Sequence, residues 1–561
     1  MDFDSDPRRA DPREADPLDT DRLRRRRGRT GAGIRPLLVA LAAGLGLLGG
    51  RLGDLPGGGA SVATASAGTR TWSAPRIIAE CELAYGPQIA FPSESPFTPT
   101  GAGAIVWASD PSPCGSPSAH GLGARWGVSV AALGSTDAPK LKSTVSLRRA
   151  PNAAGVGLAT VGASAGRVVL AAAPHAFGAP ASPATVALQG LAGGPFGSPV
   201  SLSGPGLPVA LTRAYLGDVA IASVVPGPAI AVRVERYFKR GFGRVQTIPI
   251  RPGLVSALTA TMDYRSDVLV TWQQNGAIYA HMLRASGRVD PTQRVGPSAP
   301  EPQLQAVVSD NDHGMIAWSS SEARQRSGTR TRIYLDLSSA GVRFGAPRVL
   351  ASFADPQQSG RSPGSLALVR LSTENVMLAW TAVEHGSYVV RANPAVFAAT
   401  RPTVRLSNPG EQSVLAGLAP GPADEAVALW RSAPRLPDGR LDQGRTALWT
   451  ARTWIGEGDR LQAGPPEMIA AQGPNAAATV AVDPANDRAV AAWRTLAAPQ
   501  RIEYALGAGD AGYRRRALPA TASIPGPGTH WLRITLAVGG AAAAVTLLAV
   551  AIRLRRRSRD V

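Results

Sequence analysis

Lysine is almost missing from this chain. Only Lys140, Lys142 and Lys239 occur, against 59 basic side chains in 561 residues. Positive charge is therefore carried by guanidinium groups, which meet carboxylates and other oxyanions through a fixed fork of N–H donors rather than as point charges. Cysteine occurs twice and histidine six times. Two cysteines exclude a disulfide-dense miniature scaffold, and with neither in a CxxC and no His/Cys cluster they exclude a thiolate zinc site. The histidines stand at 120, 175, 281, 313, 385 and 530, with no HExxH spacing. No phosphate-binding GxxxxGK[ST] is present. The run Gly360-Arg361-Ser362-Pro363-Gly364 carries the letters of a nucleophile elbow. It falls between predicted strands rather than on a strand-to-helix turn, so it is not read as a nucleophile. The acidic loop Asp310-Asn311-Asp312 is read as a solvated turn in preference to a calcium loop. No catalytic residue, cofactor or metal ligand is assigned from the sequence.

What is present begins with the ends. Residues 534–552 (ITLAVGGAAAAVTLLAVAI) hold 19 residues without a charge, followed by Arg553, Arg555, Arg556, Arg557 and Arg559. At about 1.5 Å per helical residue such a stretch spans a hydrocarbon core of roughly 30 Å. The arginine cluster places the 553–561 tail in the cytoplasm. Near the N-terminus, Arg24 to Arg27 and Arg29 precede the apolar run 37–50 (LLVALAAGLGLLGG), with small-residue cleavage sites at Ala63-Thr64-Ala65 and Ala65-Ser66-Ala67. This is the layout of a secretory signal, with an uncleaved signal-anchor as the alternative because Arg51 and Asp54 intervene. The expected organisation is a disordered Asp/Pro/Arg-rich tail over 1–33, a signal peptide or signal-anchor over 34–67, and an extracytoplasmic domain over 70–507. A Pro/Gly/Ala-rich stalk (508–533), a transmembrane helix (534–552) and the cytoplasmic tail follow.

The net charge of +19 is shared among these parts. The first 36 residues hold +2 and the last nine +4, leaving +13 on the exported portion. Such an excess favours solubility and attraction to an anionic envelope. No basic stripe with interleaved aromatics accompanies it, which argues against nucleic acid as a partner. Cys81 and Cys114 form an exported even pair and are expected to be a disulfide, with two buried free thiols as the alternative. Leu518-Pro519-Ala520-Thr521-Ala522, ahead of the apolar span and basic tail, has the order of a sortase sorting signal. Its fifth residue is Ala522 rather than glycine, and a permanent membrane anchor is the preferred reading.

Internal repetition carries the fold class. An apolar strand, a turn rich in Asp, Asn or Gly, and a second strand ending in Trp recur, as in AVVSDNDHGMIAWSS (306–320), LALVRLSTENVMLAWTA (366–382) and TVAVDPANDRAVAAWRT (479–495). A third strand follows each, and then a short piece such as FGAPRVLAS (344–352). Second strands are centred near Val106, Val169, Ala220, Val268, Ile316, Met377, Val427 and Val490, 48 to 63 residues apart. Units of four short strands at a period of roughly 50 residues predict an all-β propeller of about eight blades, with seven as the runner-up. Trp107, Trp272, Trp318, Trp380, Trp430 and Trp493 share one position in the unit. They are read as packing between blades in preference to a ring of sugar-stacking aromatics. SAPRIIAE (73–80) is similar to GAPRVLAS (345–352), the fourth piece of a unit, and predicts that the N-terminal strand completes the last blade.

The repeat resembles the blades of bacterial exported sialidase-like propellers, in architecture only. Ser309 to Trp318 approaches the Asp-box of that family, with one extra residue between the glycine and the tryptophan and no Thr before it. Catalysis in that family implies an arginine triad and a Tyr/Glu pair. The expected function is a membrane-anchored surface module that binds an extracellular protein or glycan without catalysis. The alternatives are a sialidase-like glycoside-processing enzyme and a structural spacer.

Overall fold

The computed structural model describes residues 72–507, apart from internal segments such as 92–102, 111–124 and 356–364. Cys81 and Cys114, the 360–364 run, the 518–522 motif, the signal region and the 534–552 span lie outside the described residues. Among the described residues no helix is long and apolar enough to cross a membrane.

Strands follow one another as antiparallel neighbours and group into eight sheets among the described residues. Sheet 1 runs from Leu83–Ala90 to Lys140–Arg148, sheet 2 from Gly155–Gly162 to Val200–Pro205, and sheet 3 from Val209–Arg213 to Gln246–Pro249. Sheet 4 runs from Val255–Met262 to Gln293–Pro297, and sheet 5 from Leu304–Val308 to Arg348–Asp355. Sheet 6 runs from Leu366–Arg370 to Val404–Arg405, and sheet 7 from Gln412–Pro420 to Glu467–Gly473. Sheet 8 holds Asn475–Asp483, Arg488–Thr495 and Arg501–Leu506. In sheets 5, 6 and 7 the fourth position is divided between two short strands that pair with different parts of the third.

The sheets close into a ring. The first strand of each lies against the first strand of the next, and that of sheet 8 lies against that of sheet 1. The buried apolar residues tell the same story, because they fall into eight clusters, each bridging two successive sheets. One of them joins sheet 8 to sheet 1 through Ile105, Trp107, Val490 and Tyr504. A four-stranded sheet has two apolar faces, and the ring covers both without a second layer. This is why second strands such as Val268–Gln274 are buried along their whole length, while an outer strand such as Gln246–Pro249 is mostly exposed. The molecule is an all-β propeller.

Two features of the first strands suit the axis of such a ring. They are built from small residues, as in GVGLATVG (155–162) and NAAATVAVD (475–483). Glycine allows close approach: a Cβ on Gly86 would lie 3.2 Å from the Ala477 Cβ, and one on Gly417 would lie 3.3 Å from a Val480 methyl. The chain then closes its own seam. Arg76–Glu80 pairs antiparallel with Arg501–Leu506, Arg76 opposite Tyr504, and supplies the fourth strand of sheet 8. Ser73 extends the pairing, its N–H donating to the Leu506 carbonyl at 2.8 Å and its Oγ accepting from the Leu506 N–H at 3.0 Å. The last sheet thereby has no unpaired edge at the closure.

Candidate functional site

The six tryptophans occupy one structural position. Each sits on the second strand of its sheet, is at most 1 % exposed, and packs in the interface with the preceding sheet. Trp318 stacks on Tyr334 with ring centroids 5.1 Å apart, and Trp272 on Tyr279 at 5.6 Å. The Trp318 indole N–H donates to the Pro297 carbonyl at 3.0 Å, and that of Trp493 to Glu503 at 3.0 Å. With both ring faces covered, these side chains present nothing on which a soluble ligand could stack.

The polar chemistry gathers at the other end of the second strands, on the turns that enter them. Five of these turns close the same way. Ala214, Asp263, Ser309, Leu371 and Gly421 each donate the backbone N–H to the carbonyl four residues on, at 2.7 to 3.1 Å. The near Asp-box at 309–318 is one of them. Ser309 Oγ accepts from the backbone N–H of Asn311 and of His313, both at 3.2 Å, so the serine and the turn backbone organise this loop.

In sheets 3 and 4 the residue entering the second strand is an aspartate, and an arginine leaving the third strand meets it. Arg236 Nη1 donates to Asp218 at 3.2 Å, and Arg284 Nη1 to Asp267 at 2.8 Å. Arg284 goes further. Its Nε reaches Asp290 at 2.7 Å, and Nη1 also reaches Asp312 of sheet 5 at 2.6 Å. Ser266 hydrogen-bonds Asp218 from sheet 4 to sheet 3. Arg370 of sheet 6 grips both carboxylate oxygens of Asp310, at 2.9 and 3.0 Å, and the Val308 carbonyl at 2.9 Å. The turns of sheets 3 to 6 are thus stitched together by charge-assisted hydrogen bonds, each stronger than its neutral counterpart. Burial alone would lower the Arg284 pKa, but its carboxylate partners outweigh that and raise it. Burial works against ionised Asp290 as well, yet hydrogen bonds from Arg284 and Arg288 hold it below the usual carboxylate range.

Asp263 is the member under stress. It is 1 % exposed, and a carboxylate oxygen of it lies within 4.8 Å of one from Asp267 and one from Asp312. Its Oδ1 accepts from the backbone N–H of Arg265 and Asp267 at 2.9 and 2.8 Å, while Oδ2 has no partner. Burial pushes its pKa up to about 6, with the charges of Asp267 and Asp312 adding to the rise and the two backbone donors opposing it. A carboxyl raised in this way contributes stability that is fully present below its unfolded pKa of about 3.9 and is lost as pH rises through about 6. Asp263→Asn keeps the acceptor for the two backbone donors and removes the charge. Its unfolding free energy is expected to match wild type at pH 4 and to exceed it by about 1–3 kcal/mol at pH 7.5, measured by urea denaturation at the two pH values. Equal stability at pH 7.5 would show that the ionised carboxylate carries no penalty.

Beside this network a cleft of about 480 Å³ opens between sheets 3 and 4. Its polar lining consists of Arg236, Arg244, Gln246, Ser266 and Arg284, and its apolar lining includes Val234, Val245, Val268 and Leu283. Among the described residues no carboxylate, tyrosine, histidine or cysteine lines it. Arg244, on the approach to the fourth strand of sheet 3, is exposed. The nearby His281 bonds Thr292 through Nδ1 at 3.0 Å, and burial lowers its pKa, so the ring is neutral near pH 7. Tyr264 stands 41 % exposed on the sheet 4 turn, and its hydroxyl accepts from Arg265 Nε at 2.8 Å.

The cleft was not legible in the sequence. Arginine recurs through the whole chain, and only the ring brings Arg236 and Arg244 beside Ser266 and Arg284. A weak signal did exist: Asp218 and Asp267 hold one position in successive repeats, and Arg236 and Arg284 lie one step beyond the ladder pairs Val219–Glu235 and Val268–Leu283.

No family model matches the chain, and no curated protein matches it. Among solved structures, similarity extends to the NanB sialidase of Streptococcus pneumoniae, at 10 % identity and TM-score 0.32 over 76 % of this chain and 68 % of that one. It extends also to the six-bladed fucose-binding lectin of Aleuria aurantia, at 10 % identity and TM-score 0.30 over 56 % and 95 %. A polysaccharide lyase acting on ulvan matches at 9 % identity and TM-score 0.35 over 71 % and 96 %. The propeller assignment rests on the closed ring of sheets itself.

Proposed function

We propose that this chain is a surface-anchored binding module: a β-propeller held outside the plasma membrane by the 534–552 span, with the arginine tail in the cytoplasm and no catalytic step of its own. The cleft between sheets 3 and 4 carries the binding part of this reading. It offers guanidinium and amide donors above an apolar wall, the usual constitution of a ligand site. Its described lining supplies no carboxylate, histidine, tyrosine or cysteine, and its one hydroxyl, Ser266, donates to Asp218. The glycoside-processing alternative needs a tyrosine activated by a carboxylate, whereas the exposed Tyr264 has a guanidinium on its hydroxyl. The spacer alternative gives the cleft no role.

Two measurements test the reading. Protease added to intact spheroplasts digests the 70–530 region and spares an epitope placed after Val561; loss of that epitope from outside reverses the orientation. The full chain in detergent is retained on immobilised envelope polysaccharide from its host and releases no sugar during prolonged incubation. Failure of retention removes the binding module, and sugar release installs the enzyme.

A further inference from the structure

The cleft between sheets 3 and 4 has a donor surplus that its own neighbours do not consume. A guanidinium carries five N–H donors. Arg236 spends Nη1 on Asp218, and Arg284 spends Nε and Nη1 on Asp290, Asp267 and Asp312. Among the described residues the Nη2 groups of both have no hydrogen-bond partner, nor has any nitrogen of Arg244. The carboxylates that hold Arg236 and Arg284 are absent from the cleft lining. Those two arginines are therefore held in place by carboxylates outside the lining, and each keeps donors that these carboxylates do not use. Among the described residues Arg244 makes no ion pair, unlike Arg236 and Arg284.

We infer that this cleft is a recognition site for a single oxyanion, a carboxylate, sulfate or phosphate group, borne on a small body of about monosaccharide size. The sign of the charge follows from the lining, which holds three guanidinium groups and, among the described residues, no carboxylate, with Arg244 in no ion pair there. The oxyanion follows from donor geometry, since preorganised guanidinium forks suit planar and tetrahedral oxygen clusters and have no counterpart for a halide or a neutral hydroxyl pair. The 480 Å³ volume is far more than a bare anion needs and leaves room for a sugar-sized body, within the range of small-molecule sites. The apolar wall of Val234, Val245, Val268 and Leu283 offers contact to the C–H face of that body. No aromatic side chain is part of the described lining, so stacking on a neutral sugar is not what the site is built for. This inference rests on the binding-module reading and specifies its ligand.

The test uses the full chain in detergent and titration calorimetry with four probes: glucuronate, glucose 6-sulfate, inorganic phosphate and methyl glucoside. Glucuronate or glucose 6-sulfate, or both, are expected to bind with Kd near or below ~1 mM, inorganic phosphate more weakly, and methyl glucoside not measurably. Whichever of the two charged sugars binds more tightly names the oxyanion. Arg244→Ala, at an exposed residue with no internal partner, should leave the melting temperature unchanged and weaken the charged sugar about tenfold or more, the usual consequence of losing a charged donor. Arg236→Gln is the second variant and should weaken it similarly. Equal binding of methyl glucoside, or unchanged affinity in Arg244→Ala, overturns the inference. Retention on envelope polysaccharide separates the two readings. If it persists while the charged probes fail, the surface module stands without this site. If the probes bind and retention fails, the site stands and its partner is elsewhere.

Discussion

Trp318→Ala should lower the unfolding free energy by about 3–5 kcal/mol, among the larger losses available to a single substitution in this fold. The indole is 0 % exposed, stacks on Tyr334 and donates to the Pro297 carbonyl. A Cβ added to Gly296 would lie 2.9 Å from the indole ring, so the glycine makes room for the Trp, and the Trp in turn fills the space between sheets 4 and 5. Truncation loses the transfer free energy of the ring and leaves a void whose walls are two β-sheets fixed by their own ladders. Such walls cannot collapse inward without breaking register, so the cost belongs at the upper end of the range. Trp318→Phe should lose less than half as much, because a phenyl ring keeps the stack and gives up the hydrogen bond. Guanidinium denaturation followed by circular dichroism measures both. A loss below 1 kcal/mol for the alanine variant would mean that the interface repacks freely and that the shared tryptophan position is not what joins adjacent sheets.

Arg284→Met should cost about 3–5 kcal/mol at neutral pH, for a different reason. The methionine fills most of the space, so packing is largely kept. What is lost is the cation between Asp267, Asp290 and Asp312, of which Asp267 and Asp290 are buried and Asp267 is already close to Asp263. Four carboxylates stand in this cluster against the guanidinium groups of Arg265, Arg284 and Arg288, and the substitution removes the only one that touches three of them. Uncompensated buried charge is the expensive outcome of breaking an ion pair. The deficit should therefore shrink as pH falls through the ordinary carboxylate range near ~4, where the orphaned groups take up protons instead. Denaturation curves at pH 7.5 and pH 4 decide the matter: a deficit of equal size at both would assign the loss to packing. Because Asp312 belongs to sheet 5 and Asp267 to sheet 4, the same variant should also loosen the contact between neighbouring turns, read as faster hydrogen exchange at residues 263–267 and 309–313.

Most of the architecture was legible before the structure because it is periodic. The second strands recur with a Trp at one position and a polar turn ahead of them, and that turn-strand pattern survives drift in the other strands. The segment 73–80 could be matched to a fourth strand by its Pro-Arg and apolar run, and it is the strand that completes sheet 8. The first strands of sheets 1 and 2, LAYGPQIA and GVGLATVG, were less visible. Strands next to the axis are crowded by their neighbours and accept Gly and Ala, and small residues blur the alternation by which a strand is ordinarily read. The division of the fourth strand in sheets 5 to 7 was not visible either, since two-residue and three-residue pairings carry no pattern.

The sequence by itself determined the all-β class, the repeating unit and the packing role of the tryptophans, because each follows from local periodicity and from hydrophobic groups that must be buried somewhere. It also set the expectation of an exported, anchored domain through two charge-flanked apolar segments. Which arginines matter was decided by tertiary structure alone. Arg236, Arg244 and Arg284 are ordinary members of an arginine-rich composition until ring closure lays sheet 3 beside sheet 4. The same holds in large part for Asp263, an unremarkable turn residue in sequence, whose raised pKa comes chiefly from burial, with Asp267 of its own turn and then Asp312 of the next sheet adding to it. Periodicity is written along the chain, where each residue carries its share of the signal. A binding cleft depends on the distance between side chains from separate repeats, and no local pattern encodes that distance.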